Sequence, residues 1–401
     1  MSILRPDDDK EMQTIVEQAC AEGRALEVLG SGTKRGLGRP VEAEDRLDLS
    51  GLTGVIDYEP AELVLTAKPG TVLSAVEAQL DDAGQMFAFE PPDLSELFGG
   101  DHSGTLGGVI AANLSGPRRI KAGAARDHLL GFQGVTGHGR SFMSGGRVVK
   151  NVTGYDLSKL ITGSMGTLAA LSELSIKTLP RPDVTWTLLL RYLSDEEAIN
   201  AMTRAMASSQ EVSGAAHLPR SMAAGLGFGS GALTALRLEG PAPSVEARFA
   251  ALQEDLGECD KLEDNGTQTL WKGLRDAAPL TGAGERAIWR LSVPPAAGSS
   301  VMDVIGGQID VAYYYDWAGG LIWLAVPDQD DAGASLIRRA IASMPTSSGG
   351  HATLMRAGEA TRDTVPVYQP QTDALAALTK RVKESFDPKS VLNPGRMYKG
   401  V

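Results

Sequence analysis

"GGRVVKNVTGYDLSKLITGSMGTLAALSEL" runs from Gly145 to Leu174 and holds five glycines between segments that could pack. Lys150 and Asn151 form a polar pair within it, Gly-Tyr-Asp follows at 154–156, and Gly-Ser-Met-Gly-Thr at 163–167. Glycine reaches backbone conformations closed to other residues and lets a neighbouring group come close to the main chain. So much bare backbone in mid-chain raises the question of what approaches it.

The stretch has company upstream. "GSGTK" (30–34) follows the apolar "LEVL". Successive amide N–H groups in such a loop can point inward and form a nest for an anion, a diphosphate being a natural occupant. The G-x-G-x-x-G dinucleotide motif would need a glycine where Arg35 stands, so a Rossmann reading is weak. "KPGT" (68–71) reads as a turn opening a helix. "GTLGGVIAANLSG" (104–116) brings Gly107, Gly108, Asn113 and Gly116, and "RDHLLG" (126–131) comes next. Each piece alone reads as an ordinary turn. Taken in order, the glycine-rich elements could line one extended groove.

At 401 residues the chain is long for one core and suggests more than one domain. A net charge of −12 argues against a nucleic-acid surface. The local basic cluster Arg118, Arg119, Lys121 and Arg126 reads either as a solvated loop or as a site for one anionic ligand. Cys20 and Cys259 are the two cysteines. They exclude a disulfide framework or a four-cysteine metal or iron–sulfur site, and they suit a reducing compartment. No apolar run approaches membrane-spanning length, and "MSILRPDDDKEM" lacks the features of a signal peptide. The expected location is the cytoplasm, with peripheral attachment to the inner membrane open through partner subunits.

Periodicity predicts a helix over 9–23, strands within 26–29 and 46–71, a helix over 72–84, a short helix in 105–116 and a strand closing 160–182. Pro-Arg-Pro at 180–182 is the candidate domain boundary. Beyond it strands and helices of similar length alternate, including a helix over 194–208 opened by a Ser194–Glu197 capping box. That pattern predicts an α+β domain whose sheet is covered by helices on one side. In the run Tyr313-Tyr314-Tyr315, alternate rings are expected in the core and the others exposed or at an interface. A helix over 371–386 leads into "FDPKSVLNPGRMYKG", a tail expected to pack back onto the fold.

These motifs together resemble the flavoproteins of the vanillyl-alcohol oxidase and p-cresol methylhydroxylase type. The likeness covers roughly residues 1–182 and the closing "FDPKSVLNPGRM". "NLSGPRR", "RDHLLG", "GGRVVKNVTGYDLSKL" and "LNPGRM" look most like the FAD-binding subunits of bacterial glycolate oxidases. The resemblance implies an α+β fold: an FAD-binding domain of two α+β subdomains over 1–182, an α+β cap over 183–350, and a segment over 351–401 returning to the FAD domain. By resemblance, Gly30, Ser31, Gly32, Thr33 and Lys34 hold the pyrophosphate, beside Pro69 and Gly70. Thr105, Gly107, Gly108, Asn113 and Gly116 line the flavin and ribityl region. Gly163, Ser164, Gly166 and Thr167 lie along the cofactor, and Asn393 returns from the tail toward the flavin.

Two departures from the family pattern matter. Many relatives attach FAD through a histidine at the end of the first glycine loop, where this chain has Thr33. Non-covalent FAD is therefore expected, with His102 as the other nearby histidine. Catalytic relatives also carry a metal-holding "HGDGN" motif, which this chain lacks, and no metal site is expected. His351 is the candidate base, and Arg356 and Arg396 are candidates to pair a substrate carboxylate. The implied role is the FAD-binding subunit of a complex oxidising glycolate to glyoxylate and passing electrons to a respiratory acceptor. A catalytic flavoprotein sister subunit and an iron–sulfur subunit would be its partners. The alternatives are a non-catalytic electron-relay or scaffold subunit, and an independent FAD-dependent alcohol or 2-hydroxy-acid oxidase.

Overall fold

A computed structural model describes the chain except residues 101, 148–153, 328 and 345–348, so Lys150 and Asn151 lie outside the described residues. The chain divides into two units. The first comprises Met1–Ser115, Gly123–Arg181 and Pro370–Val401; the second comprises Gly116–Ala122 and Pro182–Gln369. The sequence places the return to the first region at 351. Strand His351–Arg356 instead pairs antiparallel with Ala287–Ser292 of the second unit, so the return comes at Pro370. The excursion of Gly116–Ala122 into the second unit has no signal in the sequence pattern.

In the first unit a three-stranded parallel sheet runs in the order Ser2–Leu4, Asp45–Asp48, Leu26–Leu29. Helix Asp9–Glu22 lays Met12, Val16 and Ala19, spaced three and four apart, against Leu26, Leu47 and Leu49. Asp8 caps its start by accepting from the Lys10 and Glu11 amides. A five-stranded antiparallel sheet follows, in the order Val55–Glu59, Val64–Ala67, Ala169–Lys177, Leu129–Thr136, Ser141–Gly145.

The tail locks onto this unit. Leu26 N–H donates to Val391 O at 2.7 Å and Asn393 N–H to Leu26 O at 3.0 Å, so the tail extends the edge of the parallel sheet. Helix Asp373–Phe386 buries one residue, Lys383. Its ammonium donates to Asp387 Oδ2, Thr167 O and Leu392 O at 2.7, 2.7 and 2.9 Å. The Asp387 carboxylate also accepts from the Val391 and Leu392 amides. A buried ion pair tolerates the loss of water only when its polar atoms find partners in this way.

The second unit is built on one eight-stranded antiparallel sheet, in the order Asp260–Leu262, Val184–Arg191, Leu233–Gly240, Gly214–Leu218, Ala312–Asp316, Leu321–Val326, Ala287–Ser292, His351–Arg356. One face packs Leu188, Leu190, Trp289, Leu291 and Leu324 against helices Asp195–Ala207, Ala242–Leu256, Gly298–Gly306 and Ala334–Ala342. The expected capping box forms: Ser194 Oγ accepts from Glu197 N–H while the Glu197 carboxylate accepts from Ser194 N–H. Helices do not keep to one side, however. Helix Asp264–Arg275 covers part of the opposite face, where Trp271 Nε1 donates to Thr187 Oγ1 and Tyr314 OH donates to Leu274 O. Tyr314 and Tyr315 are consequently both fully buried, in place of the expected alternation. The Tyr313 and Tyr315 hydroxyls both donate to Asp195, which turns the aromatic run into an anchor for the start of helix Asp195–Ala207.

Candidate functional site

Three backbone walls and the tail enclose a cleft within the first unit. Strand Leu26–Leu29 delivers the chain to Gly30, which turns through Ser31–Arg35 with Gly32 at φ +78°. A Cβ at Gly30 would stand 2.4 Å from Thr105 Oγ1, so this wall can meet the second only as bare backbone. The second wall is the Lys68–Thr71 turn with helix Leu106–Ala112, fastened by Gly107 N–H to Pro69 O (2.8 Å) and Leu106 N–H to Thr71 O (2.9 Å). The third is the turn through Gly163–Thr167, in which Gly163, Met165 and Gly166 all have positive φ. Its amides at Gly163 and Met165 donate to Ile110 O and Ala111 O in the last turn of helix Leu106–Ala112.

The cleft has about 860 Å3 of empty space, solvent at its mouth included. Of the residues singled out in the sequence, Gly30, Ser31, Gly32, Thr33 and Lys34 line it from the first wall. Pro69, Thr105, Gly107 and Gly108 line it from the second, and Ser164 and Gly166 from the third. Asn393 and Arg396 reach it from the tail. Val28, Ala111, Ala112 and Met165 add to the lining, as do the charged Glu27 and Arg35, which pair with each other. Apolar and small residues of this kind carry no chemical signal in a sequence.

Several expected residues stand elsewhere, for reasons of packing. A Cβ at Gly70 would meet Leu49 O at 2.3 Å and Leu52 O at 2.7 Å, so this glycine serves a close approach of two loops. Asn113 ends helix Leu106–Ala112 in the left-handed conformation, and its Oδ1 accepts from Arg126 N–H. The Gly163 Cβ position faces Asn113. Thr167 gives its carbonyl to Lys383 and its hydroxyl to Ser164 O. Gly116 belongs to the second unit, where its carbonyl accepts from Trp317 Nε1. Gly107 lines the cleft, but a Cβ there would strike Pro69, so its bareness serves the joint between turn and helix.

The side chains at the cleft define its electrostatics. Lys34 makes no ion pair or hydrogen bond through its ammonium among the described residues. Burial lowers its pKa to about 8, against the opposing pull of Asp93. Ser31 Oγ is buried without a partner among the described residues. A cation and a hydroxyl left in this state beside the glycine loop form a donor set for an anion. Asn393 is used as a pin: Val28 N–H donates to its Oδ1 at 2.8 Å, and its Nδ2 donates to Met165 O at 2.8 Å. Arg396 Nη2 donates to Lys34 O at 2.9 Å and so braces the first loop. His102 is exposed, with its Nε2 at 3.5 Å from Ser31 O, and is not part of the lining.

His351 and Arg356 lie in the second unit, on strand His351–Arg356. Arg356 Nη2 donates to the carbonyls of Gly284 and Arg286 at 2.6 and 3.1 Å, which commits that N–H group to the sheet edge.

Residues 2–143 match the family model described as FAD binding domain. Over 96% of this chain and 95% of its counterpart, the sequence is 35% identical to the glycolate oxidase subunit GlcE of Escherichia coli (strain K12). The chain belongs to this FAD-linked family. Glycolate oxidase subunit GlcD of Bacillus subtilis (strain 168) is 26% identical over 99% of the chain and 88% of its own length. Among solved structures, p-cresol methylhydroxylase with substrate bound matches at a TM-score of 0.71 and 13% identity, covering 99% of this chain and 88% of that one. The likeness to p-cresol methylhydroxylase shows that the fold is of the vanillyl-alcohol oxidase type. FAD, the cofactor of this family, carries a diphosphate, and the partnerless Lys34 ammonium and Ser31 hydroxyl fit that group.

Proposed function

We propose that the chain is the FAD-binding subunit of a multi-subunit glycolate oxidase, acting with a catalytic flavoprotein sister subunit and an iron–sulfur subunit. The observation that carries this reading is the cleft of the first unit, whose unmatched cation and hydroxyl stand where successive glycines expose backbone amides. Likeness to a glycolate oxidase subunit along nearly the whole chain supports the choice of complex. FAD, when bound, supplies the redox chemistry of the alcohol oxidation. The chain's own residues provide the binding. Lys34, Ser31 and the amides of Gly30–Thr33 hold the diphosphate. Gly108, Ser164 and Gly166 border the remainder of the cofactor, and Asn393 fixes the spacing of two walls. With Thr33 at the end of the first loop and His102 outside the lining, the attachment is non-covalent. The chain acts in the cytoplasm; among the described residues no helix is long and apolar enough to cross a membrane.

The test is an absorbance spectrum of the purified chain, taken before and after anaerobic glycolate, followed by acid precipitation. Flavin bands that leave with the acid supernatant are expected. Absence of flavin from both the chain and its reconstituted complex would overturn the reading. Bleaching by glycolate would assign substrate oxidation to this subunit, and persistence of the bands would place it on the sister subunit.

A further inference from the structure

Glu27 puts a carboxylate into a cleft otherwise suited to an anion. It stands on strand Leu26–Leu29, is 3% exposed and lines the cleft from the first wall. A bare carboxylate there would repel an anion, so its partners decide what it does. Arg35 supplies two bonds: its Nε donates to Glu27 Oε1 at 2.8 Å and its Nη2 to Oε2 at 3.0 Å. Both oxygens are thereby engaged by one planar fork, the geometry in which arginine grips a carboxylate most firmly. Arg46, which faces Glu27 in the register of the parallel sheet, adds its Nε to Oε2 at 3.0 Å.

The pair joins residues eight apart, and the loop Gly30–Lys34 lies between them. Glu27 is fixed at one end, because its strand pairs with Asp45–Asp48. Arg35 is fixed at the other, because its amide closes a turn onto Gly32 O at 3.1 Å. Within that turn Gly32, at φ +78°, is the residue with the most freedom to leave the bound shape. Arg35 Cδ lies 3.6 Å from where a Gly32 Cβ would be, so the arginine stem runs back along the turn on its way to Glu27. From the tail, Arg396 Nη2 donates to Lys34 O at 2.9 Å and steadies the residue before Arg35. Loop amides held in place before a ligand arrives lose little freedom when it binds, and affinity gains by that preorganisation.

We propose that Glu27 is a positioning residue for the cofactor: through its clasp on Arg35 it keeps the Gly30–Lys34 loop in the shape that receives the diphosphate. The choice of ligand rests on the function proposed above; the clasp is built from residues of the first unit alone. Charge by itself and the clasp call for opposite outcomes. Glu27→Gln removes a negative charge from the cleft, and Coulomb attraction alone would then tighten an anion. Loss of the clasp frees the loop and weakens the anion instead. Arg35→Lys keeps the positive charge but cannot bridge both carboxylate oxygens, so it separates direct attraction of the anion by Arg35 from the clasp.

The experiment follows the full chain, freed of flavin by dialysis, in two ways: FAD affinity by fluorescence titration, and hydrogen exchange of the amides of residues 30–35 before FAD is added. Glu27→Gln is expected to weaken FAD by about tenfold and to speed exchange in the loop, while the rest of the first unit exchanges as in the wild type. Arg35→Met and Arg35→Lys should do the same, and the Glu27→Gln/Arg35→Met double variant should be little weaker than either single one. Arg35 is the half-exposed member of the pair, so its variants serve if Glu27→Gln does not fold. Unchanged or tighter FAD in a folded Glu27→Gln chain, wild-type affinity in Arg35→Lys, or unchanged loop exchange would each overturn the clasp. Absence of FAD binding by the wild-type chain would count against the proposed function, and loop exchange would still decide the clasp.

Discussion

The first unit's cleft and the second unit's sheet face both carry basic side chains, and they are built from opposite materials. The cleft is walled largely by glycines and short side chains, and its Lys34 ammonium makes no hydrogen bond or ion pair among the described residues. The sheet face is made of side chains, with the Arg119 and Arg290 guanidinium groups laid over the ring of Trp317. Backbone walls need particular residues in consecutive order, so they leave a pattern in the sequence. A side-chain cluster drawn from positions 119, 290, 317 and 351 leaves no consecutive pattern, and Arg119 and His351 stand out in the sequence only separately, one in a basic cluster and one as a candidate base.

The sharpest way to test the distinction is to fill the bare backbone on either side of the cleft wall. A Cβ at Gly108 would meet only Thr105 Oγ1 at 3.4 Å and Lys34 Nζ at 3.8 Å, whereas one at Gly70 would strike two carbonyl oxygens. Gly70→Val should yield no folded protein. Gly108→Val should yield folded protein with its flavin absorbance lost. Soluble Gly70→Val with normal flavin content would show that the loop approach is not tight, and full flavin in Gly108→Val would remove this helix from the cofactor wall.

The tail offers the next test. Lys383→Met leaves the buried Asp387 carboxylate without its cation, and removing one partner of a buried pair costs about 3–5 kcal/mol. Calorimetry should show the first unit melting earlier while the second unit's transition stays in place. A common shift of both transitions would show that the two units unfold together.

The smallest effect concerns the charge of the cleft. Without a bound anion the Lys34 ammonium titrates at about 8, below its ordinary value, because burial penalises the charged form. A diphosphate favours the charged form, so binding takes up a proton once the empty site has begun to lose one. Affinity for FAD should therefore be constant at low pH and fall as pH rises from about 7 to about 9. Lys34→Met should weaken FAD by about 10- to 100-fold and abolish that slope. An unchanged slope in the variant would assign the titration to another group.

How far the sequence could be read follows from the same contrast. The order of glycine-rich elements located the cleft, and Gly30, Ser31, Gly32, Lys34, Gly108, Ser164 and Gly166 all reach it. A glycine reports that something comes close but does not distinguish a ligand from a neighbouring loop. Gly70, expected at the cofactor, stands against two loop carbonyls, Gly163 against Asn113, and Asn113 ends a helix. Lys383 and Asp387 were not singled out, because an i,i+4 ion pair on a polar helix reads the same whether it is solvated or buried. In the second unit, periodicity supplied the strands. It could not supply their order, so the meeting of Ser292 with His351 and of Arg290 with Trp323 waited on the fold.

Asn393, which holds strand Leu26–Leu29 and the Met165 turn at a fixed spacing, also sets a schedule. The first unit draws on residues 1–115, 123–181 and 370–401, while the second unit comes from a nearly unbroken run between the last two of these. A nascent chain can complete the eight-stranded sheet before the cleft has its last wall. Cofactor capture is thus deferred until translation has passed Asn393, and a ribosome stalled short of that codon would carry a finished second unit beside an open, flavin-free first one.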